Sequence, residues 1–196
     1  MATKKEIEIR AKLLNIGDVE KFFKDNNVRK TYENHQTDTY YDNPSCTFFA
    51  DPECVYKWLR IRDENGKLTL NFKHWLPENE PIKTYCDETE YSLSGMDEMK
   101  KYLPQLGLNP EGFEPIMVVD KIRRSYIYSD CEISIDSVKG LGDYIEVEYK
   151  GTSEDVVKIQ NLLKDVLKKI NASVGEMDYK GYAYNLLKLK FENKGE

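Results

Sequence analysis

The dominant pattern along the chain is strict alternation of apolar and polar positions. Residues 5–13 place Ile7, Ile9, Ala11 and Leu13 on one face and Glu6, Glu8, Arg10 and Lys12 on the other. That period of two predicts a strand. Residues 17–27 read as a helix, with Asp18 as N-cap and Val19, Phe22 and Phe23 apolar. A short strand over 37–44 stops at Asn43-Pro44. Residues 55–75 predict a hairpin, because two alternating runs flank Glu64-Asn65-Gly66 and Asn-Gly favours a tight hairpin turn. Within it Trp58, Arg60 and Arg62 share a face, as do Thr69, Asn71 and Lys73 on the return. Further strands are predicted over 84–93, 115–129, 131–142 and 143–151, with a helix over 94–107 ending at Gly107. Two helical stretches follow, 153–172 and 177–190. The first has Ser153 as N-cap and an apolar stripe of Val156, Ile159, Leu163, Val166, Leu167 and Ile170.

About eight strands and four helices, mostly joined by hairpins, predict an α+β fold built on an antiparallel sheet or barrel. No repeat or linker divides the chain, so 1–196 reads as a single domain. Composition adds bounds. A chain of 196 residues with 40% hydrophobic content and 14 Tyr is long and apolar enough to fold around a core. No run reaches the ~18–20 apolar residues of a membrane span, and MATKKEIEIR lacks the apolar stretch of a secretory signal. No membrane and a cytoplasmic location are therefore expected. Cys46, Cys54, Cys86 and Cys131 form no CxxC pair and suit free thiols in a reducing compartment. With only His35 and His74, a His/Cys zinc site is not expected.

The net charge of −6 disfavours a nucleic-acid coat, but the placement of charge matters more than the sum. Taking one face per strand collects Glu6, Glu8, Arg10, Lys12, Arg60, Arg62, Lys73, Glu88, Glu90, Lys121, Arg123, Glu132, Asp136, Glu146 and Glu148, seven basic and eight acidic side chains. One reading is a solvated outer face laced with ion pairs, each worth only ~0–1 kcal/mol. The other is a charged interior in which Lys and Arg bind phosphate oxygens and carboxylates hold Mg²⁺ or Mn²⁺. The tyrosines, Trp58 and Trp75 suit packing under helices, or stacking on a base.

Glu6-Ile-Glu8-Ile-Arg10 resembles the ExExK signature strand of the CYTH superfamily, the triphosphate tunnel metalloenzymes. The order of the other pieces strengthens the resemblance. Asp38-Thr-Tyr40-Tyr41-Asp42 resembles the second-strand element D-x-Y-Y/F-D, Leu59-Arg60-Ile-Arg62 the LRIR strand, and Leu70-Asn-Phe72-Lys73 the L-T-x-K strand. Glu88 and Glu90 resemble the acidic mid-chain pair, and Lys121-Ile-Arg123-Arg124 the K-x-R/K-R strand. Residues 136–148 resemble the hairpin D-x-V-x-G-L-G-x-F/Y-x-E-x-E. The likeness spans about residues 4–190 and is closest to the class IV adenylyl cyclase group. Two departures stand out. Arg10 occupies the usual Lys position, which removes a compact ammonium from it. Gly181-Tyr182-Ala-Tyr184-Asn-Leu186-Leu187 matches the family's terminal S-Y-x-x-L-L helix only loosely.

The resemblance implies a closed eight-stranded β-barrel, a tunnel with helices outside, binding ATP or another triphosphate with Mg²⁺ or Mn²⁺. It assigns Arg10, Lys12, Arg60, Arg62, Lys73, Lys121 and Arg123 to phosphate. It assigns Glu6, Glu8, Asp136, Glu146 and Glu148 to metal, and Glu6, Glu8, Arg10 and Lys73 to catalysis. Glu88 and Glu90 line the tunnel as further metal ligands or as counter-charges that hold the Lys and Arg side chains, and Glu132 lines it in a structural or rim position. The implied reaction is conversion of ATP to cyclic AMP and pyrophosphate. Alternatives on the same scaffold are a tripolyphosphatase or thiamine triphosphatase, and a non-catalytic polyphosphate or nucleotide sensor. Members of the family are often dimers, so a homodimer is also an expectation.

Overall fold

A computed structural model of the protein describes residues 4–45, 47–48 and 55–192. Cys46 and Cys54 lie outside the described residues, whereas Cys86 and Cys131 are buried free thiols. The strands are β1 (Lys4–Glu6), β2 (Glu8–Leu13), β3 (Arg29–Asp42), β4 (Lys57–Glu64), β5 (Lys67–Leu76), β6 (Tyr85–Leu93), β7 (Glu114–Tyr128), β8 (Cys131–Val138), β9 (Gly142–Tyr149) and β10 (Val174–Met177). The helices are α1 (Ile16–Asp25), α2 (Met99–Tyr102), α3 (Val156–Ile170) and α4 (Tyr182–Glu192). The described chain divides into two compact units. Of the described residues, the first comprises 4–5, 35–45, 47–48, 55–120 and 180–192; the second comprises 6–34 and 121–179. β3 and β7 each run through both.

In the first unit the hydrogen-bonded order is β1-β6-β5-β4-β3. Asn65 and Gly66, both at positive φ, make the β4–β5 turn that their sequence predicts. One face of these strands is apolar. Leu59, Ile61 and Leu70 pack with Tyr41, Phe48, Leu93, Met99 and Leu103 into a core. The stretch predicted as one helix over 94–107 is instead 3₁₀ (Met96–Glu98), α2, then 3₁₀ again (Leu103–Leu106). Pro104 explains the break, since it removes a backbone donor and clashes with the preceding turn. The segment ends on Gly107 in the left-handed conformation, as expected.

In the second unit the order is β7-β8-β9-β2-β10, all neighbours for which register is defined being antiparallel. Its apolar face carries Ile9, Ala11, Ile133, Ile135, Ile145 and Val147, all buried. α3 covers β2 and β9 with the buried stripe Ile159, Leu163, Val166 and Ile170. α1 brings Phe23 against Tyr126, with ring centroids 4.1 Å apart. The helix caps fall beside their predicted places: Asn15 rather than Asp18 starts α1, and Asp155 rather than Ser153 starts α3.

Among the described residues there are ten strands where the sequence suggests eight, and their hydrogen-bonded order ends at β1 and β10 rather than forming a ring of eight. The predicted strand 5–13 is interrupted at Ile7, which makes two of one. β10 adds four residues beside β2, too few to show alternation. β3 begins at Arg29, eight residues before the predicted start, because its first half is polar on both faces and gives no period-two signal.

Candidate functional site

The register of the second unit sorts its polar face into three rows. Glu8 of β2 lies opposite Glu148 of β9, which lies opposite Glu132 of β8. The next row is Arg10, Glu146, Ser134 and Ser125; the next is Lys12, Tyr144, Asp136 and Arg123. Directly opposed residues in an antiparallel pair project to the same face. Side chains that are scattered along the sequence therefore share one surface, acidic at one end and basic at the other. Glu6, Glu8, Lys121, Arg123, Asp136, Glu146 and Glu148 are all buried.

Asp136 organises the basic end. It is fully buried; one oxygen accepts from Arg123 Nε at 2.7 Å, the other from Lys121 Nζ at 2.9 Å and Arg123 Nη2 at 2.6 Å. Arg123 Nη2 also donates to Glu146 at 2.9 Å. Burial pushes the Asp136 carboxyl up, but Arg123 and Lys121 outweigh it and hold the group well below the usual carboxylate range. Glu146 is lowered in the same sense: burial opposes, and Arg123 and Arg10 prevail. Both were expected among the metal ligands; the structure engages both with bases. Lys12 reaches the Leu141 carbonyl and stands over the Tyr144 ring, 4.8 Å from its centroid.

Arg10 sits in the middle row. It donates to Glu8 at 2.8 Å and stands 3.5 Å from Glu146 and 3.7 Å from Asp178. Asp178 escaped the sequence reading because residues 177–190 read as a helix, whereas α4 begins at Tyr182 and Asp178 follows β10; its amide donates to the Arg10 carbonyl at 2.8 Å. Among the described residues, no three His, Cys, Asp or Glu side chains already converge to hold a metal ion. The donor set nevertheless suits a hard divalent cation: Glu8, Glu148 and Glu132 are adjacent like charges supplying only oxygen. Such opposed carboxylates destabilise a sheet unless a cation lies among them.

The first unit carries its own cluster. Asp38 on β3 is buried and accepts from Arg60 Nη1 at 3.0 Å and from Arg62 Nε and Nη2 at 2.7 and 2.8 Å. Asn71, also buried, accepts from Arg60 at 3.4 Å and donates to Glu88 at 3.4 Å and to Glu90. Lys73 pairs with Glu88 at 3.5 Å. Glu90 is exposed. Burial would lower the Arg60 guanidinium, yet Asp38, Tyr40 and Glu88 hold it firmly charged. Asp38 was legible as part of a motif but not as the anchor of two arginines, and Asn71 as a face but not as a bridge. Trp58 is buried edge-on to Tyr40, with centroids 5.4 Å apart, which is packing. His35 and His74 pair with Asp120 and Glu78 and join no metal cluster among the described residues.

An α+β chain with an antiparallel sheet whose polar faces carry buried, interleaved acids and bases fits one class of protein, and comparison identifies it. The CYTH domain model matches residues 4–177, so the chain belongs to the CYTH family. A "putative adenylate cyclase" of Methanocaldococcus jannaschii is 32% identical over 126 residues, covering 63% of this chain and 67% of that one. Among solved structures, the PH1819 protein of Pyrococcus horikoshii OT3 is similar with a TM-score of 0.70 at 22% identity, covering 93% of this chain and 98% of that one. A "putative adenylyl cyclase" from Hippeastrum, described as having a dominant triphosphatase activity, is similar with a TM-score of 0.59 at 17% identity, covering 91% of both chains. No described helix is long and apolar enough to cross a membrane.

Proposed function

We propose that the protein is a divalent-metal-dependent enzyme acting on a triphosphate, of the class IV adenylyl cyclase type, converting ATP to cyclic AMP and pyrophosphate. The observation that carries this reading is the row Glu8–Glu148–Glu132 lying beside a basic end built from Lys12, Lys121 and Arg123 on one buried polar face. A triphosphate needs several cationic donors, and hard oxygen ligands suit Mg²⁺ or Mn²⁺. The metal is assigned to Glu6, Glu8 and Glu148, with Glu132 beside them; it would neutralise phosphate charge when bound. Asp136 and Glu146 are assigned a different task from the one expected, that of holding Lys121, Arg123 and Arg10 in place. Lys12, Lys121, Arg123 and Arg10 orient phosphate oxygens. The Arg60–Asp38–Arg62 fork and Lys73 are assigned to phosphate on the chemistry of their own cluster.

In the proposed reaction the ribose 3′-hydroxyl gives up its proton to solvent as its oxygen bonds to the α-phosphorus, the bond from that phosphorus to the bridging oxygen breaks, and pyrophosphate leaves. Fixed cations lower the barrier by orienting the triphosphate and stabilising charge on the leaving group. Arg10, with its guanidinium paired to carboxylates, serves here as a charge rather than as a proton carrier. The Hippeastrum neighbour favours a second reading, hydrolysis of the terminal phosphate by water.

Products decide between them. Purified protein is incubated with Mg²⁺ or Mn²⁺ and ATP, tripolyphosphate or thiamine triphosphate. Cyclic AMP with pyrophosphate is expected from ATP. Orthophosphate, released fastest from tripolyphosphate, would overturn the cyclase in favour of the triphosphatase. Binding without turnover of any of them would favour a sensor. Glu6→Ala and Glu148→Ala are expected to abolish metal-dependent turnover while the fold persists, and wild-type rates in both would refute the metal assignment.

A further inference from the structure

The signature strand has a second copy whose closing cation, Lys150, lies beyond the family hairpin motif that ends at Glu148. Glu6-Ile-Glu8-Ile-Arg10 begins at β1 and continues through β2; Glu146-Val-Glu148-Tyr-Lys150 runs along β9 and one residue beyond. Both read Glu-x-Glu-x-cation, and the two lie antiparallel. Arg10 faces Glu146 and Glu8 faces Glu148. The Tyr149 amide donates to the Ile7 carbonyl at 3.0 Å, so the same register carried on sets Lys150 against Glu6. The local bonding repeats as well. Arg10 binds the carboxylate two residues before it, Glu8, at 2.8 Å; Lys150 binds Glu148, two residues before it, at 2.6 Å.

The two cations differ in freedom. Arg10 is 12% exposed and boxed in by Glu8, Glu146 and Asp178. The Lys150 side chain is 33% exposed, at the end of its strand. Its backbone is fixed, because its amide donates to the Asp130 carbonyl at 2.8 Å, but its stem is a flexible four-carbon chain with an open side toward water. The ammonium stands 2.6 Å from Glu148, which faces Glu8 and Glu132, and the register sets Lys150 against Glu6, so it lies among the carboxylates that the proposed function gives to metal.

We infer that Lys150 is the resident, displaceable counter-cation of the Glu6–Glu8–Glu148–Glu132 row, and that a divalent cation binds there by expelling it. This rests on the metal reading above. Opposed carboxylates need a positive charge among them. In the metal-free protein Arg10 supplies it at Glu8 and Lys150 at Glu148, and a divalent ion taking the Lys150-bound oxygens would bring twice the charge of the ammonium. Displacing the ammonium weakens apparent metal affinity and leaves a cationic side chain free beside the site.

The test compares the full-length wild type with Lys150→Met and Lys150→Arg, using Mn²⁺ alone and following the free-ion electron paramagnetic resonance signal. Lys150→Met is expected to bind Mn²⁺ about five- to tenfold more tightly, a coupling of ordinary size, whereas Lys150→Arg stays near wild type or weaker. In parallel, thermal melts in EDTA should show Lys150→Met below wild type, with Glu148→Gln added to it restoring part of the loss. Mn²⁺ affinity in Lys150→Met equal to or weaker than wild type would overturn the inference while leaving the metal site intact. If the EDTA melts behave as expected but neither protein binds Mn²⁺, the metal reading itself fails and displacement with it.

Discussion

Asp136→Asn offers the sharpest test of how the basic end is held. The carboxylate is fully buried and accepts from Lys121 Nζ and twice from Arg123, at 2.6–2.9 Å. Lys121 and Arg123 are 2% and 8% exposed, so neither can recover its hydration when the anion is removed. Breaking a buried ion pair by removing one partner costs about 3–5 kcal/mol. Asparagine keeps the volume and one acceptor oxygen, and Glu146 stays on Arg123, so a loss of about 3 kcal/mol is expected, near the lower end of that range. A domain of ordinary stability, about 5–15 kcal/mol, would remain folded. Urea denaturation at pH 7 reads the loss as a shifted midpoint at unchanged slope.

The pH dependence gives a second reading of the same contact. The folded-state pKa is depressed, so the contribution is fully present above the ordinary value of 3.8 and is lost as pH falls below it. The gap between wild type and Asp136→Asn should therefore be constant near neutrality and close under strongly acidic conditions. Adding Lys121→Met to the variant removes one orphaned charge and should return part of the loss. A deficit under about 1 kcal/mol at pH 7 would refute the anchoring role, since that is the scale of a solvent-screened pair.

Two other perturbations probe the remaining elements. Asp38→Ala removes the anchor of Arg60 and Arg62, and is expected to weaken tripolyphosphate binding, measured by calorimetry, about tenfold or more, a step of about 1.4 kcal/mol; unchanged affinity would place the fork outside the phosphate site. Leu163→Ala truncates a fully buried side chain of α3 packed on β2 and β9, and should cost about 2–5 kcal/mol by chemical denaturation without a shift in relative substrate preference.

Much of the polar face was legible because a strand has a side-chain period of two. Once residues 5–13, 131–142 and 143–151 read as strands, Glu8, Arg10, Asp136, Glu146 and Glu148 had to fall on their polar faces, and the apolar stripe of α3 named the helix that covers the other side. Where alternation was weak the reading failed. The polar first half of β3, the four residues of β10 and the Pro104-broken segment carry no clean period. Lys150 was missed although it lies inside the predicted strand 143–151 and shares parity with Glu146 and Glu148, because the matched family hairpin ends at Glu148.

The sequence by itself determined which residues alternate, and hence which charges belong to one face, together with the order of motifs that marks the CYTH family. It did not determine partners. Which carboxylate meets which base depends on the stagger between strands that are distant in the chain, and a slip of two residues would preserve every face while changing every pair. Only the tertiary structure put Glu8 against Glu148 and Glu132, gave Asp136 to Lys121 and Arg123, and left Lys150 beside Glu148. The physical reason is that parity is a local property of one backbone, whereas register is settled by hydrogen bonds and packing summed over several.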